Sequence, residues 1–403
     1  MNYEFLLWIA LILISTKVLG LLCKAIHLPE VVGALLAGVI LGPSGLALMS
    51  MEGDTGTLLT YIAEMGVIFL MFSAGLDTDL KELKANIGAS FVTALIGVIV
   101  PLVGGMLCYA FYFGEDLSNY DQMLQSLFVG VVLTATSVSI TVETLREMGK
   151  LSGKVGMTIL GAAIIDDILG MIVLAVVSSM KDTSVKPTTV LIKIVLYFVL
   201  IFLLFLITGR SEFVIEKGDH KRRVAIFAVA FCFLLAYVSE IGFGIADITG
   251  AYFAGVMLCR SKIRDYVDIK IHDVSTVFFS CIFFASVGLK VTLDGMTMHI
   301  WFFAVLLTLV AIITKMVGCG LGAKMCKFTW KESLQTGIGM ISRGEVALIV
   351  AEKGRQVGLI SENMFAPIIL VVIITTLVTP ILLKVAFKDK NDNGGPEAVE
   401  AAN

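Results

Sequence analysis

Apolar runs of about 20 residues, separated by short polar or charged stretches, recur along the whole chain. A helix of that length spans the hydrocarbon core of a bilayer, because it rises about 1.5 Å per residue. The pattern predicts thirteen spans, at roughly 5–22, 29–48, 58–76, 86–113, 123–145, 155–180, 187–209, 222–240, 245–260, 273–291, 299–320, 332–356 and 363–386. The expected fold class is therefore an all-α polytopic membrane protein with 13 transmembrane helices. The first run begins at Phe5 with Glu4 before it and Lys17 and Lys24 after it, which suits an uncleaved helix better than a signal peptide.

An odd number of spans puts the termini on opposite sides. One set of loops carries Lys24, Lys81, Lys84, Arg146, Lys150, Lys154, Arg210, Arg222, Arg223, Arg260, Lys262, Arg264, Lys324, Lys327 and Lys388; the other carries little beyond Lys181 and Lys186. Positive residues mark the cytoplasmic side, so the N-terminus is expected outside and the C-terminus in the cytoplasm of a cell (plasma) membrane. The polar stretch 389–403 reads as a disordered cytoplasmic tail too short for a regulatory domain.

Two segments resemble each other in order. Gly33, Ala34, Ala37 and Gly38 of the second span correspond to Gly250, Ala251, Ala254 and Gly255 of the ninth, and Ser73 and Gly75 of the third to Ser286 and Gly288 of the tenth. Matching spans lie seven apart, an odd step, so the two halves run in opposite directions as inverted-topology repeats. Chance likeness among small helix-packing residues is the competing explanation. Spans five and twelve occupy corresponding places in the halves, and both look interrupted. The fifth concentrates Thr134, Thr136, Ser137, Ser139 and Thr141, whose hydroxyls compete for backbone hydrogen bonds; the twelfth holds Gly337, Gly339, Ser342, Arg343, Gly344 and Glu345. Paired interrupted helices point to a transporter's binding site, since their ends expose partial charges and unpaired carbonyls.

Composition narrows the function classes. Hydrophobic residues make up 58% of the 403 and charged residues only 16%, against about 25% charged in a soluble domain. The net charge of -3 gives no reason to expect nucleic acid as a partner. The seven cysteines are scattered and read as small hydrophobes rather than disulfides or metal ligands. No phosphate-binding glycine loop and no nucleophile–base set is visible, so neither a cofactor nor enzymatic activity is expected.

The charged residues inside the spans carry the chemistry. Asp166 and Asp167 fall near the centre of the sixth span, where a carboxylate is costly unless something binds it. Neighbours on a helix point about 100° apart, so one can face an ion path while the other turns to a different partner. Lys315, inside the eleventh span, either pairs with the spare carboxylate or snorkels to the cytoplasmic surface. Arg343 and Glu345 either neutralise groups on other helices or fix the crossing of the interrupted spans. Glu64 and Glu143 are weaker candidates for an ion path, and His27, His220, His272 and His299 are expected at surfaces.

Taken together, Thr134–Ser137, the Asp166–Asp167 pair, Lys315 and Ser342–Glu345 resemble the cation:proton antiporter-2 family, and within it the NapA-like bacterial sodium/proton antiporters. The resemblance covers essentially the whole chain. Kef-type potassium systems are similar too, but usually have glutamine where Asp166 stands. The resemblance implies the NhaA/NapA-like antiporter fold, with two interrupted crossing helices near Asp167. It implies a homodimer: a scaffold of residues 5–84 and 220–293, a mobile core of 85–181 and 297–388, and a linker helix at 186–210 between them. It further implies Na+ (or Li+) binding at Asp167 with help from Asp166, Thr134 and Ser137, supported by Thr136, Ser342, Arg343 and Glu345. Asp166 would pair with Lys315 when sodium is absent, and two protons would exchange for one sodium, electrogenically. Potassium/proton exchange by the same site is an alternative. A sodium-coupled symporter for an organic solute, and a channel, are readings from other classes.

Overall fold

The computed structural model describes residues 3–26, 28–51, 53–181, 186–215, 221–261, 264–290, 297–356, 358–361 and 364–388. Among them the chain is helical and loops are short. The helices are α1 (Glu4–Ala25), α2 (Glu30–Leu41), α3 (Gly53–Leu76), α4 (Leu80–Phe113), α5 (Tyr120–Val132), α6 (Val138–Glu147), α7 (Lys154–Lys181), α8 (Pro187–Ile215), α9 (Lys221–Tyr237), α10 (Asp247–Leu258), α11 (Arg264–Val274), α12 (Ser280–Leu289), α13 (Met298–Met325), α14 (Trp330–Gly339), α15 (Glu345–Gln356) and α16 (Phe365–Phe387). A π-helical turn, Val238–Phe243, extends α9, and another, Ser275–Phe279, joins α11 to α12. Nine described helices are long and apolar enough to cross a membrane by length and composition. Every expected span overlaps a helix or a pair of helices, and the fifth and twelfth map onto pairs parted by non-helical residues, α5/α6 and α14/α15.

Local chemistry sets several boundaries. The Asp79 carboxylate accepts from the free N–H groups of Lys81 and Glu82 and starts α4; Asn119 does the same for Asp121 and Gln122 at α5. Thr329 and Glu332 form a reciprocal capping box that opens α14. Gly114, at φ 69°, ends α4 in the left-handed conformation that glycine adopts without penalty. Pro101 and Pro380 sit inside α4 and α16, as prolines do where neighbouring helices shield the broken ladder.

The helices pack as two groups. In one, α4 lies against α7 and α13, and the α5/α6 and α14/α15 pairs and α16 fill in around them. In the other, α2 packs on α1 and α12, and α3 on α10 and α12, with α9 and α11 beside them. α8 bridges, touching α7 on one side and α10 on the other.

The small residues of the repeated motif make the close approaches within the second group. A Cβ on Gly75 of α3 would lie 2.9 Å from the Cα of Gly255 in α10 and 2.2 Å from the Tyr252 carbonyl oxygen. A Cβ on Gly38 of α2 would likewise lie 2.9 Å from the Cα of Gly288 in α12 and 2.0 Å from the Ala285 oxygen. Each motif therefore packs against the counterpart of its own partner, which is the arrangement a two-fold-related repeat produces. Replacing Gly255 by valine is expected to force α3 and α10 apart and to destabilise the detergent-purified protein by about 1–3 kcal/mol; an unchanged thermal unfolding temperature would contradict this packing.

Cys23, Cys108, Cys232 and Cys319 are buried, whereas Cys259, Cys281 and Cys326 are partly exposed. His272 is half-buried and His299 exposed. His27, His220 and the tail 389–403 lie outside the described residues.

Candidate ion-binding site

α5 stops at Val132 and α6 starts at Val138; α14 stops at Gly339 and α15 starts at Glu345. The two breaks lie against each other and are stitched by hydrogen bonds. The Ser137 N–H donates to the Ser342 carbonyl at 2.8 Å, and the Ser342 hydroxyl donates to the Ser137 carbonyl at 2.8 Å. From the first turn of α6, Thr141 Oγ1 donates to the Gly339 carbonyl at 2.8 Å and lies 3.0 Å from Ser342 Oγ. Hydroxyls and freed carbonyls thus satisfy one another where the helical ladders end. This is why a cluster of Ser and Thr opposite the Ser342-Arg343-Gly344 stretch can leave helix inside a buried bundle.

Two cations are buried at this crossing. Lys315 of α13 has no exposed side-chain surface, and its Nζ donates to Asp166 Oδ1 at 2.7 Å, the Thr134 carbonyl at 2.8 Å and the Gly97 carbonyl at 2.9 Å. An ammonium has three N–H donors, so every one is used. Snorkelling, one of the two readings open for Lys315 from sequence, is excluded by this geometry. Arg343, also fully buried, donates to the Ala135 carbonyl at 2.6 Å and the Ala311 carbonyl at 3.3 Å, while Thr376 Oγ1 donates to the Arg343 carbonyl at 2.5 Å. Lys315 and Arg343 therefore hold the carbonyls of adjacent residues just beyond α5, where the negative end of the helix dipole favours positive charge.

Asp166 faces this region from the middle of α7, and Asp167 follows it in the chain. Asp166 is 2% exposed and Asp167 8%. Asp166 turns to Lys315; Asp167 lies about 100° further round the helix axis. The second Asp166 oxygen, Oδ2, is buried and accepts no hydrogen bond from a described residue. The Thr136 side chain neighbours Asp166, and its Oγ1 is likewise buried without a well-aligned partner. Hard cations are held through oxygens, and a desolvated carboxylate oxygen beside a hydroxyl can contribute two of them.

Of the residues expected from sequence, Asp166, Lys315, Thr134 and Thr136 come together. Thr134 contributes its carbonyl, since its hydroxyl bonds back to Val131 at 2.7 Å. Ser137 and Ser342 belong to the crossing itself, and Ser137 Oγ lies 3.3 Å from Ser139 Oγ. Glu345 opens α15, and its side chain lies outside the described ones. Glu64, midway along α3, is exposed on the wall of a cavity, and Glu143, in the second half of α6, is half-buried. The Gly97, Ala135 and Ala311 carbonyls and the Thr376 hydroxyl escaped the sequence reading. Carbonyl ligands leave no trace in residue identity, and Thr376 sits in a run with other threonines that back-bond to their own helix, Thr375 and Thr379.

Comparison with known proteins places this arrangement in a family. The chain is 41% identical over 397 residues to the Na(+)/H(+)-K(+) antiporter GerN of Bacillus cereus, covering 97% of this chain and 98% of that protein. It is 36% identical over 388 residues to a Na(+)/H(+) antiporter of Enterococcus hirae, covering 94% and 97%. Among solved structures, the sodium proton antiporter MjNhaP1 of Methanocaldococcus jannaschii, determined by electron microscopy, matches with a TM-score of 0.74 at 18% identity over 98% of this chain and 100% of that one, a likeness of fold alone. Residues 10–388 match the family described as the transmembrane sodium/hydrogen exchanger, and the chain belongs to it.

Proposed function

We propose that this protein is an electrogenic sodium/proton antiporter of the cell membrane, with Asp167 as the shared site for sodium and proton and Asp166–Lys315 as the coupled pair. The observation that carries the reading is the fully buried Asp166–Lys315 ion pair seated on the break after α5. A cation that enters beside Asp167 competes with Lys315 for Asp166 and for the Thr134 carbonyl. Sodium displaces Lys315 from Asp166, and an ammonium without its carboxylate in a buried site is driven to lose its proton. Together with the proton Asp167 holds when sodium is absent, two protons leave for each sodium bound. One net charge moves per cycle, and the membrane potential contributes about 2.3 kcal/mol per 100 mV to that movement.

The fold supports the same reading. The nine long helices, the two short apolar helices α2 and α10, and the two broken pairs add to thirteen crossings (9 + 2 + 2). The swapped glycine contacts support an inverted repeat. The group containing α4–α7 and α13–α16 is the mobile core, and the group containing α1–α3 and α9–α12 is the scaffold through which two copies form a dimer. The distribution of basic residues among the loops supports a cytoplasmic position for Arg146 and Lys154 and an external one for the α2–α3 connection. Adjacent carboxylates with a buried lysine support the NapA-like branch.

Reconstitution with a trapped pH dye, adding lithium, sodium and potassium in turn, tests the proposal. Sodium is expected to move protons against its own flux, with lithium substituting. A second reading has its own support, since the Bacillus cereus relative is named for potassium as well; a potassium response as large as the sodium response would establish it. Sodium flux without proton movement would refute both.

A further inference from the structure

α6 packs with the core helices, yet its last two side chains reach across to the other group. Arg146 Nη2 donates to Asp77 Oδ2 at 2.7 Å and Ser73 Oγ at 2.6 Å near the end of α3, and to Asp268 Oδ1 at 3.2 Å on α11. The same cluster closes on itself: Ser73 Oγ donates to Asp268 Oδ1, and Arg264 Nη2 donates to Asp77 Oδ1 at 3.0 Å. Arg146, Asp77 and Asp268 keep only 15%, 22% and 21% of their side-chain surface exposed, so these contacts are weakly screened by solvent. A second tie stands beside the first. Glu147 Oε2 accepts from the Glu30 backbone N–H at 3.1 Å, the first residue of α2, where a helix has unpaired donors and a favourable dipole for an anion.

The opposite end of the same boundary is different. There the two groups are parted by a cavity of about 1160 Å³, with Glu64, Asp247 and Lys290 on the scaffold wall and Ile349, Lys353 and Phe365 on the core wall. At the tied end a smaller cavity of about 450 Å³, lined by Glu143, Arg146 and Glu147 with Glu30 and His272, lies beside the bridging contacts. A boundary bridged by charged contacts at one end and more widely open at the other is one of the two arrangements that alternating access requires.

The geometry points to Arg146 as the latch of the cytoplasmic gate: its bonds to Asp77 and Asp268 hold the outward-facing arrangement and have to break each time the site turns to the cytoplasm. This inference rests on the exchanger reading above and adds what sets the balance between the two facing states. Because a site available in only a fraction of molecules binds its ion correspondingly more weakly, weakening the latch moves the two sides in opposite directions. In proteoliposomes of known orientation, Arg146→Gln is expected to lower the half-saturating sodium concentration on the cytoplasmic side and raise it on the external side, changing their ratio by about five-fold, with exchange retained. A residue that only supported the fold would reduce yield or maximal rate and leave that ratio alone; an unchanged ratio overturns the latch. Should Arg146→Gln fail to fold, Asp268→Asn leaves Arg146 bonded to Asp77 and is expected to give a smaller shift in the same direction, and no shift there is equally fatal. Absence of exchange in the parent protein would refute the exchanger reading itself, a different outcome from exchange with a fixed ratio.

Discussion

Asparagine in place of Asp167 is expected to abolish sodium-dependent proton movement in proteoliposomes. The amide keeps the shape of the side chain but has neither the charge that attracts a cation nor a site for an exchangeable proton. At about 4 Å and an effective dielectric near 20, the lost attraction is about 4 kcal/mol, roughly a thousandfold in ion affinity. Asp166 does not stand in for it, because without sodium it already answers to Lys315. The variant is expected to fold, since asparagine is nearly isosteric with aspartate and, like the protonated acid, is neutral. It should also lose the rise in thermal stability that sodium gives the parent by binding the native state. Measuring unfolding with and without sodium therefore separates loss of the site from loss of the protein. Normal exchange by Asp167→Asn would sink the assignment. Asp166→Asn is expected to cut exchange severely and to alter the charge carried per cycle.

Lys315→Gln is expected to have the largest effect on stability. It removes the ammonium that serves Asp166 and the Thr134 and Gly97 carbonyls together. Stranding one member of a buried pair costs about 3–5 kcal/mol, and the carbonyl of a broken helix loses its donor besides. The unfolding temperature of the purified protein should fall by several degrees. Adding Asp166→Asn to the same protein should restore much of the loss, because two amides carry no stranded charge; simple additivity of the two changes would show that the residues are not coupled. Whatever exchange Lys315→Gln retains should no longer respond to an imposed membrane potential, since one of the two protons has lost its carrier. Parent-like stability and voltage dependence in this variant would refute the pair's role.

The membrane fold was legible because of what a bilayer demands. Apolar runs long enough to cross it can be read one segment at a time. The functional candidates were legible for the same reason: Asp166, Asp167 and Lys315 are expensive in apolar surroundings wherever the neighbours lie. Even the broken helices announced themselves, through Thr134–Thr141 and Gly337–Gly344, although the break after α5 is confined to residues 133–137 and leaves Ser139 and Thr141 inside α6.

What could not be read was every choice between partners. Lys315 had two futures, the surface or a carboxylate, and nothing in its own segment separates them. The chain has to bring α4, α5 and α7 against α13 before Gly97, Thr134 and Asp166 become its three acceptors. Arg343 reads from sequence either as neutralising a group on another helix or as fixing the crossing; its guanidinium goes to the carbonyls of Ala135 and Ala311, residues 208 and 32 positions away. Arg146 gives no sign in its own segment of reaching Asp77 and Asp268. Hydropathy and burial cost belong to single segments, so the sequence by itself determined that the chain spans a membrane, that its middle is charged and where its helices falter. Ion pairs and carbonyl ligands are relations between distant segments, decided by which helices pack together, and only the tertiary structure holds that information.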